Sequence, residues 1–406
     1  MREKIVTLVF LVIAVGLAIT AALVQPESTT HNLFDDQGQD FYPSFTDPLA
    51  CKALEVVAYD EATATARPFK VEFRNRRWSL PSHFNYPADA QERLAKTAAA
   101  LMDLKKESVR SDSVADHTSL GVIDPLDQKA TSLTGRGKRV TLRDDKGGVL
   151  ADFVLGKPVE GKAGYRYIRV PGQKRTYAVK TEADPSVSFE DWIETDLLKL
   201  TAPEIRKITV NSYSINEQLG QLDNVERTVL TKDKDKWTVS GRAAKKATLD
   251  AVTAALDTLR IVNVQPKPPA LTQDLRAQEG IQLSVDSIMS LRQKGFFVTP
   301  TGQLLSNEGE LIVETDKGLI YTLRFGEVAP GTPGAAADDK TAERRYLFIT
   351  VSYNDDRASL YNDGDPSKVR VTGNRLAREL SHRFADWYYV ISGADFTKLR
   401  PRSKDL

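Results

Sequence analysis

Two similar stretches decide the expected fold: RVTLRDDKGGVLADFVLGK at residues 139–157 and ELIVETDKGLIYTLRFGE at residues 310–327. In each, apolar and polar residues alternate on both sides of an Asp-Lys-Gly turn. A period of two is typical of a strand with one buried face, and glycine supplies the positive φ that hairpin turns often need. Both stretches are therefore predicted to be β-hairpins.

The order of elements around the two hairpins is also repeated. Alternating strands precede each hairpin, and each group of strands contains one tryptophan, Trp78 or Trp237. An amphipathic helix follows each tryptophan strand, with residues of one face at i, i+3, i+7 and i+10. These positions are Leu94, Thr97, Leu101 and Leu104, then Leu249, Val252, Leu256 and Leu259, at a constant offset of 155. The sequence predicts an α+β fold of two tandem duplicated units, each an antiparallel sheet with an amphipathic helix.

A four-residue motif, F-x-D-W, closes both halves, as Phe189-Glu190-Asp191-Trp192 and as Phe384-Ala385-Asp386-Trp387. We interpret it as the start of a helix whose aromatic side chains pack on the sheet and whose aspartate caps the N-terminus. The alternative is a paired ligand site. The segment VQPKPPALTQ, from Val264, is interpreted as a stiff connector.

The halves differ at one loop. The second half carries VAPGTPGAAADDKTAER at residues 328–344, where the first has only PVEGKAG at residues 158–164. Loops that are rich in glycine, proline and alanine are usually exposed, and some of them contact partners. We expect an exposed loop here and assign it no role.

The N-terminus predicts a membrane anchor. Residues 5–24, IVTLVFLVIAVGLAITAALV, contain no charge. At 1.5 Å per residue, a helix of this length spans a hydrocarbon core of about 30 Å. Arg2 and Lys4 precede the run and acidic residues follow it, so the positive-inside rule predicts a cytoplasmic N-terminus. The alternative is a cleaved signal peptide with its site at Thr20-Ala21-Ala22.

The predicted organisation is a cytoplasmic tail at 1–4, a transmembrane helix at 5–24, a stalk at 25–50, a first unit at 51–200 and a second unit at 201–406. The chain is thus expected to be a single-pass protein of the bacterial inner membrane, with its bulk in the periplasm. The stalk is polar and acidic. Its aromatic residues Phe41, Tyr42 and Phe45 are expected either to dock on the first unit or to lie near the lipid surface.

Composition excludes some classes of protein. Of the 406 residues, 41% are hydrophobic and 27% are charged, as in an ordinary globular protein. The length predicts two or three domains, because it exceeds that of one ordinary core. The net charge is only +1, which argues against a dedicated nucleic-acid binder. The basic clusters at residues 74–77 and 135–139 are interpreted as solvated strand ends.

The single cysteine, Cys51, excludes an intramolecular disulfide and a thiolate metal site. It follows Pro48-Leu49-Ala50, which resembles a lipoprotein cleavage box but lies far from the apolar segment. We therefore interpret Cys51 as structural or incidental.

The sequence contains no strong catalytic signature. The four histidines, His31, His83, His117 and His382, form no zinc motif, and no nucleophile elbow or Walker A loop occurs. The acidic segment Tyr353–Asp365 is a weak calcium candidate because it lacks the EF-hand order. The sequence therefore predicts a non-enzymatic protein with no catalytic, cofactor-binding or metal-binding residues and no cofactor.

The order of elements resembles a bacterial family known as domain of unknown function 4340. The residues that carry the resemblance are Trp78–Pro81, Leu101–Leu104, Gly121–Pro125, Gly156-Lys157 and Tyr167. The resemblance covers residues 55–200 and extends more loosely into the second half, where residues 280–286 lack the Asp-Pro pair. It implies a membrane-anchored extracytoplasmic protein, often encoded beside ABC transporters of the gliding-motility type, and it brings no established catalytic residues.

Three functional hypotheses follow. The first is a non-enzymatic accessory or scaffold subunit of an ABC-type transport complex, whose partners are the permease and ATPase subunits. The second is an anchored binding module for a cell-envelope glycan or peptide. The third, an extracytoplasmic hydrolase, is least favoured because no acid–base constellation is visible in the sequence.

Overall fold

The computed structural model describes residues 36–216, 221–234, 236–239, 242–278, 284–330, 343–361 and 364–406. The predicted transmembrane helix lies outside these residues, as does most of the loop at 328–344. Among the helices that are described, none combines the length and the apolar character needed to cross a bilayer.

Contacts between residues divide the described chain into two compact units. One contains residues 36–68 and 94–185, and the other contains residues 69–93 and 186–406. The predicted boundary at residue 200 follows the order of elements in the sequence rather than spatial contacts, and it stays a prediction.

The first large sheet has nine strands among the described residues, in the order β4-β3-β2-β1-β6-β7-β8-β9-β5. The strands are β1 (Ala53–Asp60), β2 (Thr65–Arg74), β3 (Arg77–Leu80), β4 (Tyr86–Pro87), β5 (Ser108–Ser111), β6 (Lys138–Arg143), β7 (Val149–Pro158), β8 (Tyr165–Arg169) and β9 (Thr176–Lys180). In its centre β1 pairs with β6 in antiparallel fashion, so that the buried Val56 lies opposite the buried Val140. This pairing fixes the apolar face of both strands toward the core.

The second large sheet has the order β13-β12-β11-β10-β17-β18-β19-β20-β14. Its strands are β10 (Ile205–Asn216), β11 (Gln221–Asp233), β12 (Lys236–Val239), β13 (Arg242–Ala243), β14 (Asn263–Pro266), β17 (Glu310–Thr315), β18 (Leu319–Ala329), β19 (Arg344–Tyr353) and β20 (Trp387–Ser392). Two further strands, β15 (Phe296–Val298) and β16 (Leu304–Ser306), form a small separate sheet. When that small sheet is set aside, the two large sheets have the same strand order.

The described helices are α1 (Gln91–Met102), α2 (His117–Leu120), α3 (Lys246–Asp257), α4 (Pro269–Ala277), α5 (Val285–Arg292), α6 (Asp355–Tyr361), α7 (Pro366–Ala385) and α8 (Gly393–Leu399). The predicted apolar faces are confirmed within the helices, because α1 buries Leu94 and Leu101 while α3 buries Leu249 and Leu256. The last predicted positions, Leu104 and Leu259, are buried but lie beyond the ends of α1 and α3. The Asp-Lys-Gly hairpins are also confirmed, as β6–β7 and β17–β18. The chain is thus a mixed α+β protein with large antiparallel sheets.

The predicted stalk is corrected over residues 36–50, which pack on the first unit. Phe41 and Phe45 are buried, and the Phe41 ring meets Phe153 and Tyr177 edge to face at 5.5 and 5.1 Å between centroids. The Tyr42 hydroxyl donates a hydrogen bond to the backbone carbonyl of Asp152. Of the two expectations for these aromatic residues, docking on the first unit is therefore the one observed.

The predicted connector from Val264 is wrong as well. Its first residues form the edge strand β14, which pairs with β20, and its later residues form α4. Prolines are common in stiff linkers, but Pro269 occupies the first turn of α4, where its fixed φ suits a helix and its missing N–H is not needed.

Candidate functional site

The second F-x-D-W motif joins the end of a helix to the start of a strand. Phe384 is buried in the last turn of α7, Asp386 is the C-cap, and Trp387 begins β20. The predicted helix start is therefore wrong here, and so is the predicted N-cap role of the aspartate. The packing role of Phe384 is confirmed, because its side chain is only 1% exposed.

The first motif forms a 3₁₀ turn, Phe189–Trp192, in which both aromatic side chains are buried. The Trp192 indole N–H donates to the Ser186 carbonyl at 3.1 Å. Asp191 lies inside the turn rather than at its N-cap, accepts a hydrogen bond from the Ser186 hydroxyl and lies 4.0 Å from Arg93. Packing is again confirmed, whereas capping by the aspartate is not.

The two motifs also differ in their place in the sheets. The first follows β9, the eighth strand in its sheet order, whereas the second runs into the start of β20, which holds the corresponding position. The shared strand order therefore does not explain the repeated motif.

The side chain of Tyr86 lies between the two motifs, within the second unit. Its ring packs edge to face against Phe189 at 5.4 Å and against Trp387 at 5.1 Å. His83 stacks on Phe189 at 4.7 Å, and burial lowers the pKa of His83. Phe69 links this group to Trp192, because its ring centroid lies 5.9 Å from those of both His83 and Trp192. These contacts favour a neutral imidazole inside an aromatic cluster, which we define as Phe69, His83, Tyr86, Phe189, Trp192 and Trp387.

A buried lysine lies beside the second motif. The Lys267 ammonium nitrogen donates to the Phe384 carbonyl at 2.8 Å, and the Lys267 backbone N–H donates to the Asp386 carbonyl at 2.8 Å. The amine also lies 4.0 Å from the centroid of the Phe348 ring. Burial lowers the pKa of Lys267 well below its usual value, although the charge of Asp386 acts in the opposite direction. Lys267 thus supplies donors to carbonyls at the end of α7, where a helix has none of its own.

A groove of about 490 Å³ opens next to this lysine, on the outside of the second motif. It is lined by Pro266, Lys267, Pro269, Thr272, Gln273, Arg276, Asp386 and Trp387. Arg276 and Asp386 form an ion pair of 2.6 Å across one wall, while the half-buried indole of Trp387 contributes apolar surface. Among the described residues, no donor reaches the buried Oδ1 of Asp386. An apolar wall beside a few fixed polar groups is the usual form of a binding site.

The groove rests on rigid elements. Its walls come from α4, from the end of β14 and from the α7–β20 junction, and Leu271 anchors α4 in a core that includes Phe348 and Tyr388. Its geometry suits binding. Its polar lining includes the Thr272 hydroxyl, the Lys267 amine and the Asp386 carboxylate.

The glycine-containing segment from Gly121 to Pro125 is structural. A Cβ atom on Gly121 would lie 2.7 Å from a side-chain carbon of Lys157, and one on Gly156 would lie 2.5 Å from a methyl group of Val122. Glycine at both positions therefore lets α2 and β7 approach closely. Asp124 accepts from Arg139 at 2.9 Å, and Arg139 also binds Asp152 at 2.8 Å. These contacts hold the turn in place, and they account for its residues by packing and ion pairing.

The remaining candidates form no metal site. Among the described residues, no group of three or more His, Cys, Asp or Glu side chains could hold a metal ion. The acidic segment contains α6, and Asp365 caps α7 by accepting from the Ser367 N–H. His117 is buried and its Nε2 contacts the Lys174 carbonyl at 2.8 Å, whereas His382 is exposed. Burial raises the pKa of Cys51 to about 11, in keeping with the structural role predicted for it.

Residues 78–278 match the family model described as Domain of unknown function (DUF4340). The chain carries a DUF4340 domain. The family predicted from the sequence is therefore confirmed, although the match begins at Trp78 and runs into the second half instead of covering residues 55–200. No curated protein and no solved structure matches the chain.

The sequence did not reveal the groove of this DUF4340 protein, since Lys267 and Arg276 fell in or after the supposed connector. One signal was available. Leu271 and Leu275 are spaced at i, i+4 after two prolines, which indicates a short amphipathic helix with proline in its first turn. The burial of Lys267 carries no such signal, because it depends on strands far along the chain.

The aromatic cluster provides one stability prediction. Trp192→Ala should lower the free energy of unfolding by about 3–5 kcal/mol, because the side chain is fully buried and the Ser186 carbonyl loses its donor. Asp191→Asn, next to it, should cost less than about 1 kcal/mol because Asp191 is half exposed. Urea denaturation measures both. A change below about 1 kcal/mol for Trp192→Ala would show that the cluster is not structural.

Lys267 provides a pH-dependent prediction. Between its lowered folded-state pKa and its usual pKa of 10.5, the unfolded chain binds a proton that the folded chain does not. Wild-type stability should therefore rise with pH across this window relative to Lys267→Met. Chemical denaturation at several pH values measures this difference. Lys404→Met, at an exposed position, serves as control and should run parallel to the wild type. If the stability of Lys267→Met varied with pH in parallel with that of the wild type, the lowered pKa assigned to Lys267 would be contradicted.

Proposed function

We propose that this chain is a non-enzymatic, membrane-anchored extracytoplasmic scaffold subunit of an ABC-type transport complex. The observation that carries the proposal is the groove at the second F-x-D-W motif, because it is a concave surface with an apolar wall and a few polar groups, as binding sites usually are. The transport context comes from the resemblance of DUF4340 proteins to transporter-linked proteins. The chain has no Walker A sequence, so ATP hydrolysis would belong to another subunit.

The sequence supports the membrane location in this proposal. An uncharged run of anchor length follows two basic residues, and acidic residues follow the run. Small residues in the run, such as Ala14, Gly16 and Ala18, would allow a transmembrane helix of a partner to approach closely.

The shared strand order of the two sheets supports an origin by duplication, which we include in the proposal. On this proposal the two large sheets are two copies of one structural unit on one chain. The second half has additional elements that include α4 and α7, and these build the groove. One repeat would then provide the basic fold, and the other a specialised contact surface.

The groove fits a short segment of a protein partner. Pro266, Pro269 and Trp387 offer apolar contact, while Gln273 and the Arg276–Asp386 pair offer hydrogen bonds at the rim. Aromatic residues and arginine contribute most often to binding energy at interfaces. A partner chain that donates to Asp386 Oδ1 would also pair an atom that has no donor among the described residues.

The second candidate function is a binding module for a cell-envelope glycan or peptide. The same groove favours it, because a volume of about 490 Å³ falls within the usual range for small ligands. An aromatic wall beside a charged pair suits a polar ligand with an apolar face.

Co-purification with groove-filling variants tests the proposal. In mild detergent the wild-type chain should bring down a permease and its ATPase, and it should remain in membranes after a carbonate wash. Gln273→Trp should weaken that co-purification at least tenfold, because Gln273 is exposed in the groove and the larger ring would occupy it. Quantitative mass spectrometry of the eluate measures the change.

The matched control is Ala277→Trp, on the same helix, exposed and outside the groove lining. It should leave co-purification unchanged. If Gln273→Trp and the wild type recover equal amounts of the transport subunits, the groove is not the docking site. If the wild type recovers envelope polymer and no transport subunit, the second candidate replaces the first.

A further inference from the structure

The hairpin between β2 and β3 carries a cluster of arginines at its tip. Arg74 ends β2, Arg77 begins β3, and Asn75 and Arg76 form the turn with φ of 54° and 63°. Positive φ at both central positions is typical of a tight two-residue turn whose twist matches the strands. All three arginines are exposed. We call residues 73–78 the arginine hairpin.

The positive charge of the arginine hairpin is not neutralised locally. Within the part of the chain that the structure describes, none of its three guanidinium groups forms an ion pair. The nearest acidic residue in sequence, Glu72, lies 2.9 Å from Lys70. The tip therefore presents a net charge of about +3, from its three arginines, to the solvent.

Aromatic surface lies directly beside these charges. Phe73 and Trp78 are cross-strand partners, with ring centroids 5.2 Å apart. Phe73 is 39% exposed and Trp78 is half-buried. Part of the Phe73 ring is thus open to solvent among the arginines, and this combination points to an external surface with apolar and anionic parts.

The corresponding hairpin of the second sheet shows that the fold does not require this composition. In β11–β12, Asp233 pairs with Lys236 and Lys232 pairs with Trp237. In the sequence between these pairs, Lys234 and Asp235 also carry one charge of each sign. Residues 233–236 therefore have no net charge, although they connect strands in the same place in the sheet order.

We propose that the arginine hairpin binds the surface of an anionic lipid bilayer. Guanidinium groups bind phosphate through two parallel hydrogen bonds, and aromatic rings favour the depth of the lipid headgroups. A soluble polyanion would use the arginines without the exposed ring of Phe73, and for this reason the lipid surface is the better fit. The proposal goes beyond the transport role and holds whether or not a transport partner is found.

A fluorescent label on the hairpin tests it. The native Cys51 is buried, so Asn75→Cys introduces the one accessible thiol among the described residues. The full chain is placed in phosphatidylcholine nanodiscs, labelled with an environment-sensitive dye, and titrated with separate phosphatidylglycerol vesicles. If the chain does not insert into nanodiscs, the free labelled chain is titrated with the same vesicles. Lack of membrane insertion is then distinguished from lack of lipid binding by the hairpin.

Emission should shift to the blue with phosphatidylglycerol vesicles, and the shift should weaken as salt is raised. Arg74→Ala, Arg76→Ala or Arg77→Ala should each raise the lipid concentration for half-maximal shift about fivefold. Phe73→Ser should also raise it. The matched label, Lys234→Cys on the second hairpin, should show no shift.

Three results would overturn the proposal. The first is an equal shift with phosphatidylcholine vesicles, and the second is an equal shift from Lys234→Cys. The third is binding to heparin that matches the lipid response and is insensitive to Phe73→Ser, since it would show a polyanion site instead of a bilayer site. Unchanged thermal unfolding of the exposed variants confirms that each remains folded.

Discussion

The junction between α7 and β20 depends on one buried amine. Lys267 donates to the carbonyl of Phe384, and the backbone of Lys267 donates to the carbonyl of Asp386, so the end of α7 is held against β14. Leaving such buried carbonyls without donors costs about 1–3 kcal/mol each. Because β20 begins at the next residue, these bonds also set where the strand enters its place between β19 and β14. The position of Trp387, and with it one wall of the groove, follows from this arrangement.

The aromatic neighbours explain how a lysine is accommodated there. The Phe348 and Tyr388 rings lie at 4.0 and 5.5 Å from its amine, and they offer their negative faces to a positive group. A second lysine, Lys294, lies over the Tyr388 ring at 4.7 Å, and burial lowers the pKa of Lys294 too. The core beneath the groove thus contains two lysine side chains that pack against aromatic rings.

Local sequence patterns predicted most of the hairpins and amphipathic helices, but little of the groove. Alternation is visible in any strand with one buried face, so the hairpins at residues 139–157 and 310–327 were found correctly. The F-x-D-W motif was misplaced because four residues do not reveal whether a strand precedes or follows them. Lys267 was missed for a different reason, since its burial depends on Phe348 and Phe384, which are distant in sequence. When contacts from distant parts of the chain stabilise a buried polar residue, the sequence around that residue shows no pattern that predicts its burial.

The central claim is that the groove beside Trp387 receives a transport subunit. Photo-crosslinking in living cells tests it most directly, with a photoreactive amino acid at Gln273 and, as the control, at Ala277 on the same helix. The account predicts an adduct to a permease or ATPase subunit from position 273 and none from position 277. Equal adducts from both positions, or adducts to envelope polymer alone from position 273, would contradict it.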